Sequence, residues 1–531
     1  MMTPASSTEA ATGETDQTAV LSFLARPVQP NAPVKRVDTH CSIVFLEPSR
    51  VLKIKRAVKL PYLDFSTLEK RQRACDDEIA VNKRHAPAIY RRVVPITRGR
   101  DGLAVGGTGP VVEWAVEMAR FDEKKTLDHL AERDAIRPEL GERLATILLE
   151  SHRTATGRGG SSWLASLPVI IDRNTEQFCT APALSREEID RLHELSHQAL
   201  ARNLELLRFR AAAGQVRHCH GDAHLGNIVL HDGEPILFDA IEFDPNIATT
   251  DVLYDLAFPL MDLLNFRRET VANRLFNSYM QTAWDTQSDA LCLLPLFLSL
   301  RAAIRANVLF TKARQQQLDQ AIGAQARRYF EFARRLIEPK PPRLIAVGGK
   351  SGTGKSVLAR DMAHLIAPSP GALVLRSDVI RKQLYHVAEH ATLPPETYTP
   401  EASDRVYQAM LDRGGHTLGQ GVSVVLDAAF LKPVERGAAE AVARDAKVDF
   451  RGIFLTAGRA TRLHRVASRQ NDASDATSDV ILTQDNIATG MIDWDVVDAS
   501  GAPSTTLERS TSRLLTSPTE RTSGTSPKGN S

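Results

Sequence analysis

The eight residues Gly349-Lys350-Ser351-Gly352-Thr353-Gly354-Lys355-Ser356 constrain this chain more than any other stretch. They satisfy the pattern G-x-x-x-x-G-K-[ST] and lie between an apolar run, Leu344-Ile345-Ala346-Val347, and a helical pattern over Ser356–Ile366. Glycines let the backbone wrap a phosphate with its N–H groups, and a helix N-terminus adds partial positive charge. The lysine reaches the terminal phosphates and the serine hydroxyl binds magnesium. All eight residues, Gly349 to Ser356, are therefore expected to bind ATP, with Ser356 also on Mg2+.

Downstream, strand and helix patterns alternate: strands over 372–375, 422–426 and 450–455, helices over 434–446 and 459–469. Such alternation predicts an α/β unit with a parallel, doubly wound sheet. Asp427 closes Val424-Val425-Leu426 and is the second expected metal ligand of this unit. Ala428 and Ala429 follow it where a motor ATPase carries a water-activating glutamate, which disfavours hydrolysis-driven work. Asp378, at the end of the second strand in Ser377-Asp378-Val379-Ile380-Arg381, points across the loop towards an acceptor hydroxyl. Arg381, one turn on, is placed to hold the acceptor or a phosphate. A helix N-cap is the plainer role for Asp378. Arg462, Arg465 and Arg469 recur at helical spacing before the loop Asn471–Asp475, which suits neutralisation of a phosphoryl group in transfer. A solvated basic face would read the same way.

A second signature lies upstream: His220-Gly221-Asp222-Ala223-His224-Leu225-Gly226-Asn227, followed by Asp239. Phosphoryl transfer needs one carboxylate to orient the attacking hydroxyl and accept its proton, an amide oxygen on the metal, and a second carboxylate bridging metal and phosphates. Asp222, Asn227 and Asp239 supply those groups. Ile228-Val229-Leu230, a turn at Asp232-Gly233, and Ile236-Leu237-Phe238 read as the hairpin that delivers Asp239.

Composition bounds the rest. At 531 residues the chain is long enough for two or three domains. Lys+Arg 66 against Asp+Glu 64, without a long basic stripe, points away from nucleic acid and towards small ligands. Five scattered cysteines fit a reducing cytoplasm. The N-terminal stretch lacks a secretory pattern, and the apolar run Leu291–Leu300 is too short to span a bilayer, so no membrane partner is expected. The expected order is a disordered tail (1–17), a first domain (18–338), a proline linker (339–342), a second domain (343–500) and a second disordered tail (501–531). Within the first domain, strands precede helices, the layout of a two-lobed kinase.

The upstream signature resembles the aminoglycoside phosphotransferase and choline kinase family, whose loop reads HGDxHxxN. The resemblance covers about residues 20–338. It implies a protein-kinase-like fold with Asp222 as catalytic base and Asn227 and Asp239 as metal ligands. In such kinases a strand lysine holds the α- and β-phosphates and pairs with a helix glutamate. Lys53 and Glu78 are the candidates, and Lys55, on the same strand face, is the alternative lysine. Two departures stand out: Val37–Ser42, where a glycine loop would cover the phosphates, has no glycine, and Ala240 stands where Gly would follow Asp239. The second unit resembles P-loop kinases related to polynucleotide kinase and zeta toxin, in which the aspartate matching Asp378 is the base. The whole arrangement is similar to bacterial two-domain proteins labelled AAA family ATPases for the phosphate loop alone.

Together these readings imply an ATP- and Mg2+-dependent phosphotransferase acting on a small hydroxyl-bearing acceptor, with Asp222, Asp378, Arg381 and Arg469 in catalysis. In the alternative, the N-terminal lobe is the kinase, or a non-transferring binding module, and the P-loop unit regulates it. An aminoglycoside acceptor would call for acidic groups, and Glu242, Asp244, Asp251 and Asp255 follow Asp239; caps or solvated faces are their commoner roles.

Overall fold

The computed structural model describes residues 17–27, 33–39, 41–60, 63–157, 159–315, 319–468 and 473–514. Their packing divides the chain into two compact units, drawn from 1–177 with 200–262 and from 178–199 with 263–531.

In the first unit, strands β1 (Lys35–Asp38), β2 (Ser42–Leu46) and β3 (Arg50–Lys55) form successive hairpins. Helix α1 (Leu68–Asn82) follows, and then β4 (Tyr90–Gly99), β5 (Gly102–Val105) and β6 (Val111–Ala119). The sheet is antiparallel in the order β1-β2-β3-β6-β4-β5. Alternation along β3 sends Leu52 and Ile54 to a core with Ile43, Phe45, Val94 and Ile96. Val51, Lys53 and Lys55 take the other face, where Val51 packs with Cys75 of α1. The stretch without glycine is simply the β1–β2 turn: Thr39 N donates to Ser42 O, and Ser42 N donates back to Thr39 Oγ1. A threonine side chain closes this hairpin, as its local hydrogen bonding allows.

Helices dominate from residue 127 on, among them α2 (Leu140–Thr154). Strand β7 (Val216–His218) then leads into the second signature, followed by the hairpin β8 (Ile228–His231) and β9 (Glu234–Leu237). Asp232 and Gly233 join its strands with φ of 51° and 86°, the left-handed pair that a two-residue hairpin turn demands. Strand β10 (Thr249–Asp251) pairs with β7 and opens helix α3 (Val252–Asn265).

The second unit contains α4 (Glu269–Gln287), α5 (Leu294–Gln315) and α6 (Gln320–Ile337), and then the alternating segment. That segment runs β11 (Arg343–Gly349), α7 (Lys355–Ala363), β12 (Leu373–Arg376), α8 (Ser377–Leu384), α9 (Pro400–Gly419), β13 (Val424–Asp427), α10 (Pro433–Asp445), β14 (Asp449–Thr456), α11 (Arg459–Ala467), α12 (Ser478–Asp485), β15 (Asp495–Asp498) and α13 (Pro503–Leu514). Five parallel strands lie in the order β12-β13-β11-β14-β15, the doubly wound sheet expected from the alternation. Strand β15 had no signal, because only Val497 of Asp495-Val496-Val497-Asp498 is buried. Disorder from residue 501 gives way at α13, where Leu507 packs on the sheet core and Thr506 and Ser510 are buried.

Compactness does not follow the proline linker, because α4 packs on the P-loop sheet. Asn273 Nδ2 donates to Pro370 O and Ala372 O, each at 3.1 Å. Val374 N donates to Asn277 Oδ1 at 2.7 Å. Two side-chain amides one turn apart thus cover the open edge of β12, a liability that sheets manage explicitly. One helical stretch within Glu269–Gln315 is apolar and long enough to cross a bilayer, and 61% of that window is buried inside the protein.

Replacing the buried Asn273 with Ala strips both carbonyls of that donor. The change is expected to cost about 2 kcal/mol, read as a lower urea midpoint for unfolding of the second unit. An unchanged midpoint would contradict the edge-covering role.

Candidate active sites

The loop His220–Asn227 has few side chains of its own to fix it, and α3 does that work. Asp255 Oδ1 accepts from Gly221 N at 2.9 Å and Asp262 Oδ2 accepts from Leu225 N at 3.0 Å; both carboxylates are buried. His152 Nε2 of α2 holds the other oxygen of Asp255 at 3.2 Å. The fixed loop presents Asp222, whose side chain is 39% exposed, and Asn227 Nδ2 donates to Asp222 Oδ2 at 3.1 Å. Three hydrogen bonds zip the loop to the Asp239 segment: Phe238 N to Asn227 O, Ile241 N to His220 O, and His220 Nε2 with Phe238 O. The expected trio Asp222, Asn227 and Asp239 is thereby brought together.

Asp239 has φ +59°, so the aspartate itself takes the left-handed conformation, which short polar side chains tolerate better than most. Ala240 adopts no positive φ, which is why no glycine is needed there. Tyr90 Oη accepts from Asp239 N at 3.1 Å, and Asn82 Oδ1 from Ala240 N at 2.7 Å. Lys53 Nζ lies 2.6 Å from Asp239 Oδ1 and 2.9 Å from Glu78 Oε1. Desolvation is the largest influence and pushes the Asp239 carboxyl up, but Lys53, Lys55 and His220 together leave the group below its ordinary value.

Lys55, the alternative lysine, lies 2.6 Å from Glu78 Oε2 and pairs with Glu242. The acidic group after Asp239 is therefore largely internal. The Glu242 side chain, 7% exposed, pairs with Lys55, Asp255 holds the loop, and Asp251 takes both arms of the Arg210 guanidinium at 2.7 Å while capping Leu253 N. Only Asp244 has the plain capping role, towards Asn246 N. Asn82, Tyr90 and Asp262 carry no motif and were not legible as site residues, and Asp255 was weighed only as an acceptor-pocket acid, a cap or a solvated face. Behind the loop, the His85 and His220 rings sit 5.7 Å apart. Burial, with the neighbouring His220, drives the His85 imidazole down to about 3.

In the second unit, Gly349 to Ser356 join β11 to α7. Gly349 (φ +137°) and Gly352 (φ +82°) have backbones closed to other residues: a Cβ would lie 2.5 Å from Leu455 O at the first and 2.7 Å from Arg462 O at the second. Thr353 Oγ1 donates to Lys350 O at 2.8 Å, and Lys355 Nζ lies 3.2 Å from the same oxygen. Asp427 is buried at the C-terminal end of β13, with Arg376 Nε 3.3 Å from it. Asp378 occupies the first turn of α8 without being its N-cap, which is Arg376. Burial first, and then Asp427, push the Asp378 carboxyl up, while Ser474, Arg376 and Lys355 pull the other way. Asp378 follows β12, Asp427 ends β13 and Lys355 opens α7 after β11, so all three lie at the carboxyl end of the sheet, where doubly wound sheets bind ligands.

The arginines are placed differently from expectation. Arg381 is buried and committed: it donates to Thr397 O and to Ser403 Oγ, and its guanidinium stacks 4.8 Å over the Tyr398 ring. It fastens the 397–403 segment, so the acceptor-holding role does not fit it. Arg469 lies outside the described residues. Arg465 donates to Gly501 O and lies by Thr353 O. Arg462 is no solvated face: its side chain is 5% exposed, NH2 lies 2.6 Å from Asp485 Oδ1, and Nε and NH1 are buried with no hydrogen-bond partner among the described residues. Asp485 also takes Lys350 Nζ at 3.1 Å and Arg459 Nε at 2.8 Å, while its neighbour Gln484 accepts from Ser351 N at 2.7 Å. Desolvation opposes but does not match these cations, and the Asp485 carboxyl lies far below its ordinary range.

Hard oxygen donors suit magnesium. Asp239 keeps 44% of its side chain accessible, and the Asn227 amide nitrogen is taken by Asp222, leaving the amide oxygen as the donor for a cation. Asp427 and the Ser356 hydroxyl offer the same chemistry in the second unit.

Residues 56–287 match the phosphotransferase enzyme family, and residues 344–489 match the AAA domain family. An uncharacterised protein of Mycobacterium tuberculosis (strain ATCC 25618 / H37Rv) is 28% identical over 492 residues, 90% of this chain and 94% of its own length. An uncharacterised protein of Mycobacterium bovis (strain ATCC BAA-935 / AF2122/97) matches to the same extent. Among solved structures, a choline/ethanolamine kinase family protein from Mesorhizobium loti is 13% identical, covering 60% of this chain and 97% of that one with a TM-score of 0.36. A gluconokinase from Sinorhizobium meliloti 1021 is 20% identical, covering 33% and 94% with a TM-score of 0.25.

Because folding holds His85 neutral, the unfolded chain protonates it first as pH falls. Its stabilisation is complete above the ordinary value of 6.5 and drains away towards about 3. By pH 5 the loss is about 2 kcal/mol, so His85→Gln is expected to flatten the fall in melting temperature between pH 7 and 5. Parallel profiles would contradict this. At the other site, a phosphate bound by the loop would compete with Asp485 for Lys350, Arg459 and Arg462. Asp485→Asn is expected to tighten nucleotide binding by about fivefold, the size of one charge-assisted bond, in a titration calorimeter. Weaker binding would show that the carboxylate instead orients those cations for the nucleotide.

Proposed function

We propose, for a chain that joins a phosphotransferase-family domain to a P-loop kinase-like domain, an ATP- and Mg2+-dependent phosphotransferase with two nucleotide sites. The P-loop domain moves a phosphoryl group onto a hydroxyl of a small acceptor. The observation that carries this reading is Asp378, half-buried in the first turn of α8 at the carboxyl end of the sheet and within electrostatic reach of Asp427 and Lys355. Burial and the neighbouring Asp427 raise its carboxyl, which makes it a better proton acceptor than an ordinary aspartate.

The loop amides and Lys355 hold the β- and γ-phosphates. Asp378 orients the acceptor hydroxyl and accepts its proton as the hydroxyl oxygen bonds to the γ-phosphorus. The bond from that phosphorus to the bridging oxygen breaks, and ADP leaves. Arg462, with two buried nitrogens that have no partner among the described residues, takes the charge-neutralising role expected of the lid arginines. Asp427 and Ser356 would hold magnesium in this domain, and Asn227 and Asp239 in the other; bound there, the metal offsets phosphate charge. Ala428 after Asp427 supports transfer to an acceptor over hydrolysis. The same reading places the protein in the cytoplasm, with a small-molecule acceptor and neither nucleic acid nor membrane as partner.

A second reading assigns transfer to the N-terminal domain and makes the P-loop domain a nucleotide-dependent regulator. The exposed Asp222, oriented by Asn227 beside the Lys53–Glu78–Asp239 cluster, favours it. Radiolabelled ATP, magnesium and a metabolite extract separate the two. Lys355→Ala is expected to abolish label transfer, by about a thousandfold or more, while Asp222→Ala leaves the main product in place. Loss with Asp222→Ala alone would transfer the chemistry to the N-terminal domain.

A further inference from the structure

Five charged groups form an alternating ladder in the first unit: Asp239, Lys53, Glu78, Lys55 and Glu242. Glu78 is 0% exposed and shares its two oxygens between the two lysines, Oε1 with Lys53 and Oε2 with Lys55. Lys55 is 1% exposed and bridges Glu78 to Glu242, with the Phe65 ring 5.5 Å beneath its ammonium. Lys53 does the same between Glu78 and Asp239.

A lysine that serves a nucleotide keeps its helix glutamate, while its contact with the metal-ligand aspartate gives way to metal and phosphate. If Lys53 were the sole partner of Glu78, one ammonium would have to serve a fully buried carboxylate and the phosphates together. Lys55 relieves that demand, since it holds the second oxygen of Glu78 while Lys53 reaches phosphate. It also anchors the far end of the metal-ligand segment: Tyr90 holds Asp239 N, Asn82 holds Ala240 N, and Lys55 holds the Glu242 carboxylate. Asp239 is thereby fixed without needing Lys53.

We infer that Lys55 and Glu242 are positioning residues of the N-terminal nucleotide site, a second ion pair that holds Glu78 and the Asp239 segment in place while Lys53 engages phosphate. The inference rests on the reading that this domain binds Mg2+ and nucleotide. Neither residue touches the nucleotide. Both act through Glu78 and Asp239.

The test uses the full chain carrying Lys355→Ala, which silences the P-loop site, titrated with magnesium and a non-hydrolysable ATP analogue. Adding Lys55→Met with Glu242→Gln removes both charges at once and avoids stranding either. This variant is expected to keep the far-ultraviolet dichroism and cooperative melting of its parent, yet to bind nucleotide about tenfold more weakly or worse, as for lost support of metal ligands. Its half-saturating magnesium concentration is expected to rise in step, a readout that a purely structural role would not move. Lys55→Arg, which preserves the pairing, is expected to restore affinity to within about threefold. A folded double variant that binds like its parent, with unchanged magnesium dependence, overturns the inference. Should the double variant fail to fold, Glu242→Gln alone decides: unchanged affinity and magnesium dependence overturn the proposal, and a shift in both supports it. If the Lys355→Ala parent itself binds no nucleotide, the reading of the domain falls and takes the inference with it.

Discussion

A carboxylate with no access to water must have a cation beside it, and Glu78 is such a group. Its pairing with Lys53 and Lys55 sets the register between β3 and α1, because only alternate strand positions can face one helix residue. From that contact the rest of the N-terminal site follows. Lys53 reaches on to Asp239, Lys55 to Glu242, and α1 adds Asn82 on the backbone between them. The hairpin carrying Asp239 is thus docked on α1 and the sheet through charges and one amide, and the zipper to His220–Asn227 carries the arrangement to Asp222.

The same demand shapes the second unit with different parts. Arg462 is buried beneath the phosphate loop and needs an anion, and Asp485 supplies one while also holding Lys350 and Arg459. Gln484 adds a partner for Ser351 N, an amide of the loop itself. Each unit therefore keeps its candidate phosphate-binding cations on its own carboxylates. On the proposed reading, nucleotide affinity at either site is a difference between two ion-pairing arrangements, not the sum of new contacts, and it is accordingly sensitive to single carboxylate substitutions.

Where function is local in the chain, it was legible. The loop Gly349–Ser356 states its own geometry, since glycines fall where φ is positive or a Cβ would strike backbone. The spacing of Asp222, Asn227 and Asp239 was equally readable, because one two-residue hairpin separates the last two. Lys53 and Glu78 could be named only through a family resemblance; their contact depends on how α1 lies on the sheet. Asp262, Asn82 and Tyr90 were silent, and the loop-holding role of Asp255 was hidden, for the same reason: each acts on backbone 34 to 158 residues away in sequence. Arg381 misled because helix position says which way a side chain starts and not what it meets, here the Tyr398 ring and Thr397 O. Strand β15 and helix α13 escaped because each buries too few apolar side chains to imprint a period.

Two nucleotide sites in one chain are the core of this account, and counting bound nucleotide tests it most directly. Titration calorimetry of the whole protein with magnesium and a non-hydrolysable ATP analogue is predicted to give two nucleotides per chain. Lys355→Ala and Asp239→Asn should each remove one, and the double variant both. A single nucleotide per chain, abolished by Lys355→Ala and indifferent to Asp239→Asn, would contradict it.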